Sequence, residues 1–169
     1  GVELSKKYIN LTKKRLKELN KSIDRKAYDS KILNINSLHV KKFLKKNSVD
    51  LVITSPPYWN ILNEKRSADY KKIKKYSEKD EDLGNIGDYK NFLEKLKSIF
   101  SEIYEVLKKD KYCVVIVMDI RKRSQFYPFH MDLVKKMDGI GFTLDDIIIW
   151  DRQAEYNNMR PLGYPYVFR

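Results

Sequence analysis

Between Asp88 and Lys109 the apolar residues Phe92, Leu93, Leu96, Ile99, Phe100, Ile103, Val106 and Leu107 recur at helical spacing. An apolar strand flanks this helix on each side, one ending at Thr54 and one running from Lys111 to Met118 and ending at Asp119. A helix with one continuous apolar face, set between two strands too apolar to meet water, implies an α/β chain whose mostly parallel sheet is covered on both faces. Ligands of such sheets collect at the carboxyl ends of the strands. Glu3, Asn36, Ser55 and Asp119 all fall at such ends.

The remaining elements fit the same scheme. Gly1 to Leu4 reads as the end of a strand, with Ser5 placed to cap a helix running to about Leu19. Lys31 to Ile35 reads as a short strand, Leu38 to Lys45 as a brief helix, Phe129 to Met137 as a helix, and Asp146 to Trp150 as a last strand. Residues 59–87 form a long polar segment without periodicity, expected to be a lid or substrate loop. At 169 residues the chain corresponds to one domain, 1–169.

The sharpest local feature is Asp50-Leu51-Val52-Ile53-Thr54-Ser55-Pro56-Pro57-Tyr58-Trp59. Proline lacks a backbone N–H and has a fixed φ, so Pro56 and Pro57 stop the strand and hold Ser55 extended. The turn presents carbonyls, a hydroxyl and two aromatic faces together. Those groups suit a flat molecule carrying an amino group.

Composition narrows the partners. Hydrophobic residues make up 42% and no run is long enough to cross a bilayer, so the chain reads as a soluble, cytoplasmic protein. The single Cys113 lies in the apolar run Tyr112 to Val117, which excludes an internal disulfide or a cysteine-based zinc site and points to an inert thiol. His39 and His130 have no carboxylate or cysteine at ligand spacing and read as surface or packing residues, so no metal is expected. The 35 Lys and Arg against 23 Asp and Glu give a net charge of +12, which favours a polyanionic partner; a Lys-rich solvated surface or a thermophilic source accounts for the same excess.

Taken in order, Gly1-Val2-Glu3, Asn34-Ile35-Asn36-Ser37-Leu38, Asp50 through Tyr58, the long helix and the strand ending at Asp119 resemble the S-adenosylmethionine-dependent amino-methyltransferases that modify exocyclic amines of DNA bases. The resemblance covers nearly the whole chain. It implies the Rossmann-like class I methyltransferase sheet, DNA as partner and S-adenosylmethionine as cofactor. Ser-Pro-Pro-Tyr is the form most often associated with cytosine N4, whereas Asp or Asn in the first position mostly accompanies adenine N6. Methylation of adenine N6 or of an RNA or protein amide, and a nucleic-acid-binding module without catalysis, stay open beside cytosine N4.

The resemblance also assigns roles. Ser55, Pro56, Pro57 and Tyr58 would form the catalytic turn, Ser55 and the Pro56 carbonyl accepting the two amine hydrogens and Tyr58 stacking on a flipped-out base. Trp59 would add a wall or pack behind it. Glu3 would accept the ribose hydroxyls of the cofactor, and Asn36, where the family usually has Asp, its adenine amino group; a surface acid and a loop cap are the plain alternatives. Asp119 could line the pocket or cap the next turn. Arg121, Lys122 and Arg123 would contact phosphate, with Lys71, Lys72, Lys74 and Lys75 as weaker candidates or a solvated loop.

One family element is absent, the Phe-x-Gly-x-Gly loop after the first strand. Gly139 and Gly141 suit a helix stop rather than a cofactor loop. The resemblance therefore implies a chain cut at both ends, with a gap where the first strand would lie. Two expectations follow: weak or no S-adenosylmethionine binding by the chain alone, and a second copy, a partner chain or a rearrangement to complete the sheet.

Overall fold

Asp88 starts the central helix as its spacing requires: the side chain accepts the Asn91 N–H at 2.7 Å and caps the helix here named α2, Tyr89–Val106. The computed structural model describes residues 1–22, 30–63, 73, 75–77, 79–122 and 124–150. Before α2 come helix α1 (Lys6–Ser22) and strand β1 (Val49–Thr54); after it come β2 (Leu107–Val115), β3 (Ile120–Lys122), β4 (Gln125–Tyr127) and helix α3 (Phe129–Asp138). Short 3-10 turns cover Ser37–Lys42, Ile61–Asn63 and Leu83–Asn85.

β1 and β2 pair in parallel, with Leu51 opposite Tyr112 and Thr54 opposite Val115. The register slips between Val49 and Leu51, where Asp110 takes a left-handed φ of 58° and Lys108 reaches Asp50 at 2.8 Å. The expected α/β character and parallel pairing are both present. Strand alternation then sends Cys113, Val115 and Val117 to one face, where Phe92, Leu96, Phe100, Phe129 and Leu133 form the core. Phe92, Phe100 and Phe129 are fully buried. The helices α2 and α3 pack against each other, and Lys136 pairs with Glu94 across them.

Three expectations need correction. The sheet is not covered on both faces among the described residues: Leu51, Ile53, Tyr112 and Val114 project from the other side and are exposed. The core cluster takes up only the alternate residues of β2, which leaves that side without a layer. Asp146 to Trp150 forms no strand: no strand among the described residues runs beside it, and Ile148 and Ile149 are 86% and 88% exposed. The expected strand 31–35 contracts to one parallel bridge between Val2 and Leu33. Instead, a hairpin of β3 and β4 follows Asp119, which the sequence pattern does not foreshadow.

The core makes two measurable demands. Phe100→Ala is expected to lower stability by about 3–5 kcal/mol in urea unfolding, the cost of removing a fully buried ring. Burial alone pushes the Cys113 thiol up to about 11. Alkylation at pH 8 should therefore be slow in the folded protein and accelerate on denaturation; equal rates would place the thiol in contact with solvent.

Candidate active site at the carboxyl end of the parallel pair

The Ser-Pro-Pro-Tyr turn follows Thr54 at the carboxyl end of β1, and Ile116 N–H donates to the Thr54 carbonyl at 2.9 Å, so β2 remains alongside up to the turn. Pro56 is buried and Pro57 half-buried, while Ser55 is exposed. Ser55 Oγ lies 3.4 Å from Tyr58 Oη, either being able to donate. The turn thus brings the two hydroxyls together.

Trp59 is 6% exposed and takes a left-handed φ of 50°, an outlying conformation for a bulky residue. Its Nε1 donates to the Ile86 carbonyl at 2.8 Å, and its ring meets Tyr89 and Tyr127 at centroid distances of 5.2 and 5.1 Å. Of the two readings for Trp59, packing behind the turn accounts for most of its surface. A cleft of about 290 Å³ opens here, and Trp59 lines it together with Tyr58, Tyr76, Asp82, Asn85 and Met118.

The polar segment supplies much of that lining. Asn63 Nδ2 donates to the Gly84 carbonyl at 2.8 Å and to Asn85 Oδ1 at 3.0 Å, joining the two ends of the segment. Asp82 accepts the Gly84 N–H at 2.9 Å and the Ser77 hydroxyl at 2.8 Å. Adding a Cβ at Gly84 would bring it within 3.3 Å of Asp82 Oδ1, so a small residue suits this tight turn. Burial, with Tyr8, Tyr58, Asp82 and Glu3 close by, raises the Tyr76 hydroxyl above the ordinary phenol range. Tyr76 stands between the Ser-Pro-Pro-Tyr turn and the amino-terminal segment.

Glu3 and Asn36 end the two segments joined by the Val2–Leu33 bridge. Glu3 Oε1 accepts the Ser5 N–H at 2.7 Å at the entrance to α1. Asn36 Oδ1 accepts the Leu38 N–H at 3.0 Å and caps the 3-10 turn, while Asn34 ties to the Glu3 and Leu4 carbonyls at 3.0 Å each. Each acceptor serves a local cap, yet a carboxylate has a second oxygen and an amide carbonyl a second lone pair.

Asp119, the last residue before β3, accepts both the His130 N–H at 3.2 Å and the His130 ring Nδ1 at 2.6 Å. It caps α3, whose preceding Pro128 offers no side-chain cap. Neither histidine belongs to a metal-binding group, and no such group occurs among the described residues.

The basic triplet divides. Arg121 lies on the face of the hairpin shared with Phe126, its guanidinium 5.7 Å from that ring. Lys122 points the other way, its Nζ 4.2 Å from the Trp59 centroid and 3.2 Å from Asn60 Oδ1. Arg123 lies outside the described residues, as do Lys71, Lys72 and Lys74. Sequence reasoning missed Asn60, Tyr76, Asp82 and Met118. The density of Asn, Asp and Tyr in residues 59–87 was the one available signal.

A family model for DNA methylase matches residues 49–166, taking in the turn, β2 and the hairpin. The chain belongs to the DNA methylase family. Over 142 residues it is 28% identical to the Type II methyltransferase M.MjaVI of Methanocaldococcus jannaschii, a match covering 80% of this chain and 63% of that protein. The chain thus spans somewhat less than two thirds of that relative's length. Solved structures of TTHA0409 from Thermus thermophilus, described as a DNA modification methylase, align with 64% of this chain at a TM-score of 0.46. The selenomethionine form is 25% identical with 37% of that protein covered. The form complexed with S-adenosyl-L-methionine is 26% identical with 39% covered. No helix among the described residues is long and apolar enough to cross a membrane.

Trp59→Phe removes the donor to Ile86 while retaining most of the ring. It is expected to cost about 1–3 kcal/mol in urea unfolding, because a part-buried carbonyl loses its partner. An unchanged midpoint would mean that the indole nitrogen does not hold this turn.

Proposed function

We propose that this chain carries the catalytic turn of an S-adenosylmethionine-dependent DNA amino-methyltransferase with a Rossmann-like class I sheet, acting on cytosine N4. One observation carries the reading: the Ser55 and Tyr58 hydroxyls lie within hydrogen-bond reach at the carboxyl end of a parallel strand, beside a cleft that Tyr58 lines, in a chain of the DNA methylase family. The whole protein is accordingly an enzyme and its partner is DNA, with residues 59–87 as the lid or substrate loop.

A cytosine amine is a weak nucleophile because its lone pair is conjugated into the ring. Acceptors placed on both amine hydrogens turn the nitrogen toward tetrahedral geometry and free that lone pair. Ser55 Oγ and the Pro56 carbonyl are the two acceptors, and the rigidity of Pro56-Pro57 holds them without reorganisation. Tyr58 stacks on the base once it is flipped from the duplex, partly replacing the lost base stacking. S-adenosylmethionine, when bound, supplies the electrophilic methyl group. Glu3 and Asn36 fit its ribose hydroxyls and adenine amine, since an acidic and an amide acceptor end adjacent parallel segments. Arg121 and Arg123 approach the phosphate backbone.

The test is methyl transfer to unmodified DNA by the full-length protein, with mass mapping of the modified base. Ser55→Ala should lower kcat by about 10²–10³, the loss typical of one acceptor or donor aimed at developing charge, with little change in DNA affinity. N4-methylcytosine as product supports the assignment. N6-methyladenine would move the substrate to adenine, and full activity in Ser55→Ala would refute the acceptor mechanism.

A further inference from the structure

We infer that Lys122 is a positioning residue of the catalytic turn, its ammonium fixing Trp59 and Asn60 and, through them, the geometry of Ser55 to Tyr58. The catalytic consequence rests on the methyltransferase reading, whereas the anchoring of Trp59 stands by itself.

Backbone parity sends Lys122 inward. In the β3–β4 hairpin Ile120 pairs with Tyr127 and Lys122 with Gln125, so Ile120, Lys122 and Tyr127 share one face. That face meets the core: Ile120 is 2% exposed, and the Tyr127 ring lies against Trp59. Arg121 and Phe126 share the opposite face, where Phe126 is exposed. Adjacent cations on a strand cannot both face one duplex. Arg121 takes the outward position and Lys122 the inward one.

On the inward side Lys122 meets Trp59 and Asn60. Its Nζ sits 4.2 Å from the Trp59 ring centroid, within cation–π range, and donates to the Oδ1 of buried Asn60 at 3.2 Å. A charge on a partly desolvated aromatic face and a charge-assisted hydrogen bond act on two consecutive residues.

Those two residues need holding. Trp59 directly follows Tyr58 and has a φ of 50°, a conformation that a bulky side chain keeps only when its surroundings impose it. Ile86, Tyr89 and Tyr127 hold one side of the indole, and Lys122 adds the charged contact. The Asn60 carbonyl in turn accepts the Asn63 N–H at 2.9 Å and opens the turn that lines the cleft. If Trp59 relaxed toward an ordinary φ, Tyr58 and Ser55 would move with it.

The experiment uses the full-length protein as wild type, Lys122→Met, Lys122→Arg and Arg121→Met. Hydrogen exchange of the Trp59 indole is followed by NMR, and methyl transfer to unmodified DNA is measured over a salt series. Lys122→Met is expected to speed indole exchange about tenfold and lower kcat about tenfold, leaving the KM for DNA and its salt slope unchanged; Lys122→Arg should restore most of both. Arg121→Met should instead raise the KM and reduce the salt slope by about 0.9, the signature of one lost phosphate contact. If Lys122→Met leaves exchange unchanged, or shows the Arg121→Met pattern, the positioning role is overturned. Should Lys122→Met fail to fold, Lys122→Gln keeps a donor for Asn60 without the charge and carries the same test. A wild-type protein that methylates no base would remove the enzymatic reading, while indole exchange would still decide the anchor.

Discussion

The parallel pairing of Thr54 with Val115 governs this site, because it fixes where two strands end. A parallel pair needs a crossover, and α2 provides it by burying Phe92, Leu96 and Phe100 against the inner residues of β2. Once both strands run the same way, the chain must leave them at the same edge. Ser-Pro-Pro-Tyr leaves β1 there, and Met118, Asp119 and the hairpin leave β2 beside it. The proline turn and its supports are far apart in sequence but share one sheet edge.

Legibility in the sequence followed the strength of the local signal. The helix α2 was plain because seven apolar residues from Phe92 to Val106 keep its spacing and Asp88 caps it, although it stops at Val106 and Leu107 already begins β2; α3 was found to within a residue for similar reasons. The proline turn was legible because proline acts on the backbone regardless of context. The β3–β4 hairpin was not, since its strands are three residues long and have no period to detect. Ile147 to Trp150 failed oppositely, having strand composition but no neighbouring strand among the described residues. Propensity proposes a strand, and only a partner makes one.

The site residues divide along the same line. Ser55 and Tyr58 are close because only the two prolines of a stiff turn separate them, a distance that sequence alone constrains. Lys122 and Asn60 are 62 positions apart, and their contact depends on the parity of an unforeseen hairpin. Arg121-Lys122-Arg123 looked uniform as a charge run. A strand converts such a run into alternating roles, which composition cannot express.

Glu3, Asn36 and Asp119 show how a cap and a binding site can use the same chemistry. Each accepts a backbone N–H at the entrance to a helix or turn, and each ends a strand or extended segment. Parallel α/β chains place these two demands at one edge, because a strand's carboxyl end is followed closely by the next helix's exposed N–H groups. An acceptor there serves the fold first. Asp119 Oδ1 is engaged by both the backbone and the ring of His130, which ties it to the start of α3. Among the described residues Glu3 serves its local cap through Oε1 and Asn36 through Oδ1, so at each of these three positions the cap engages one oxygen of the side chain.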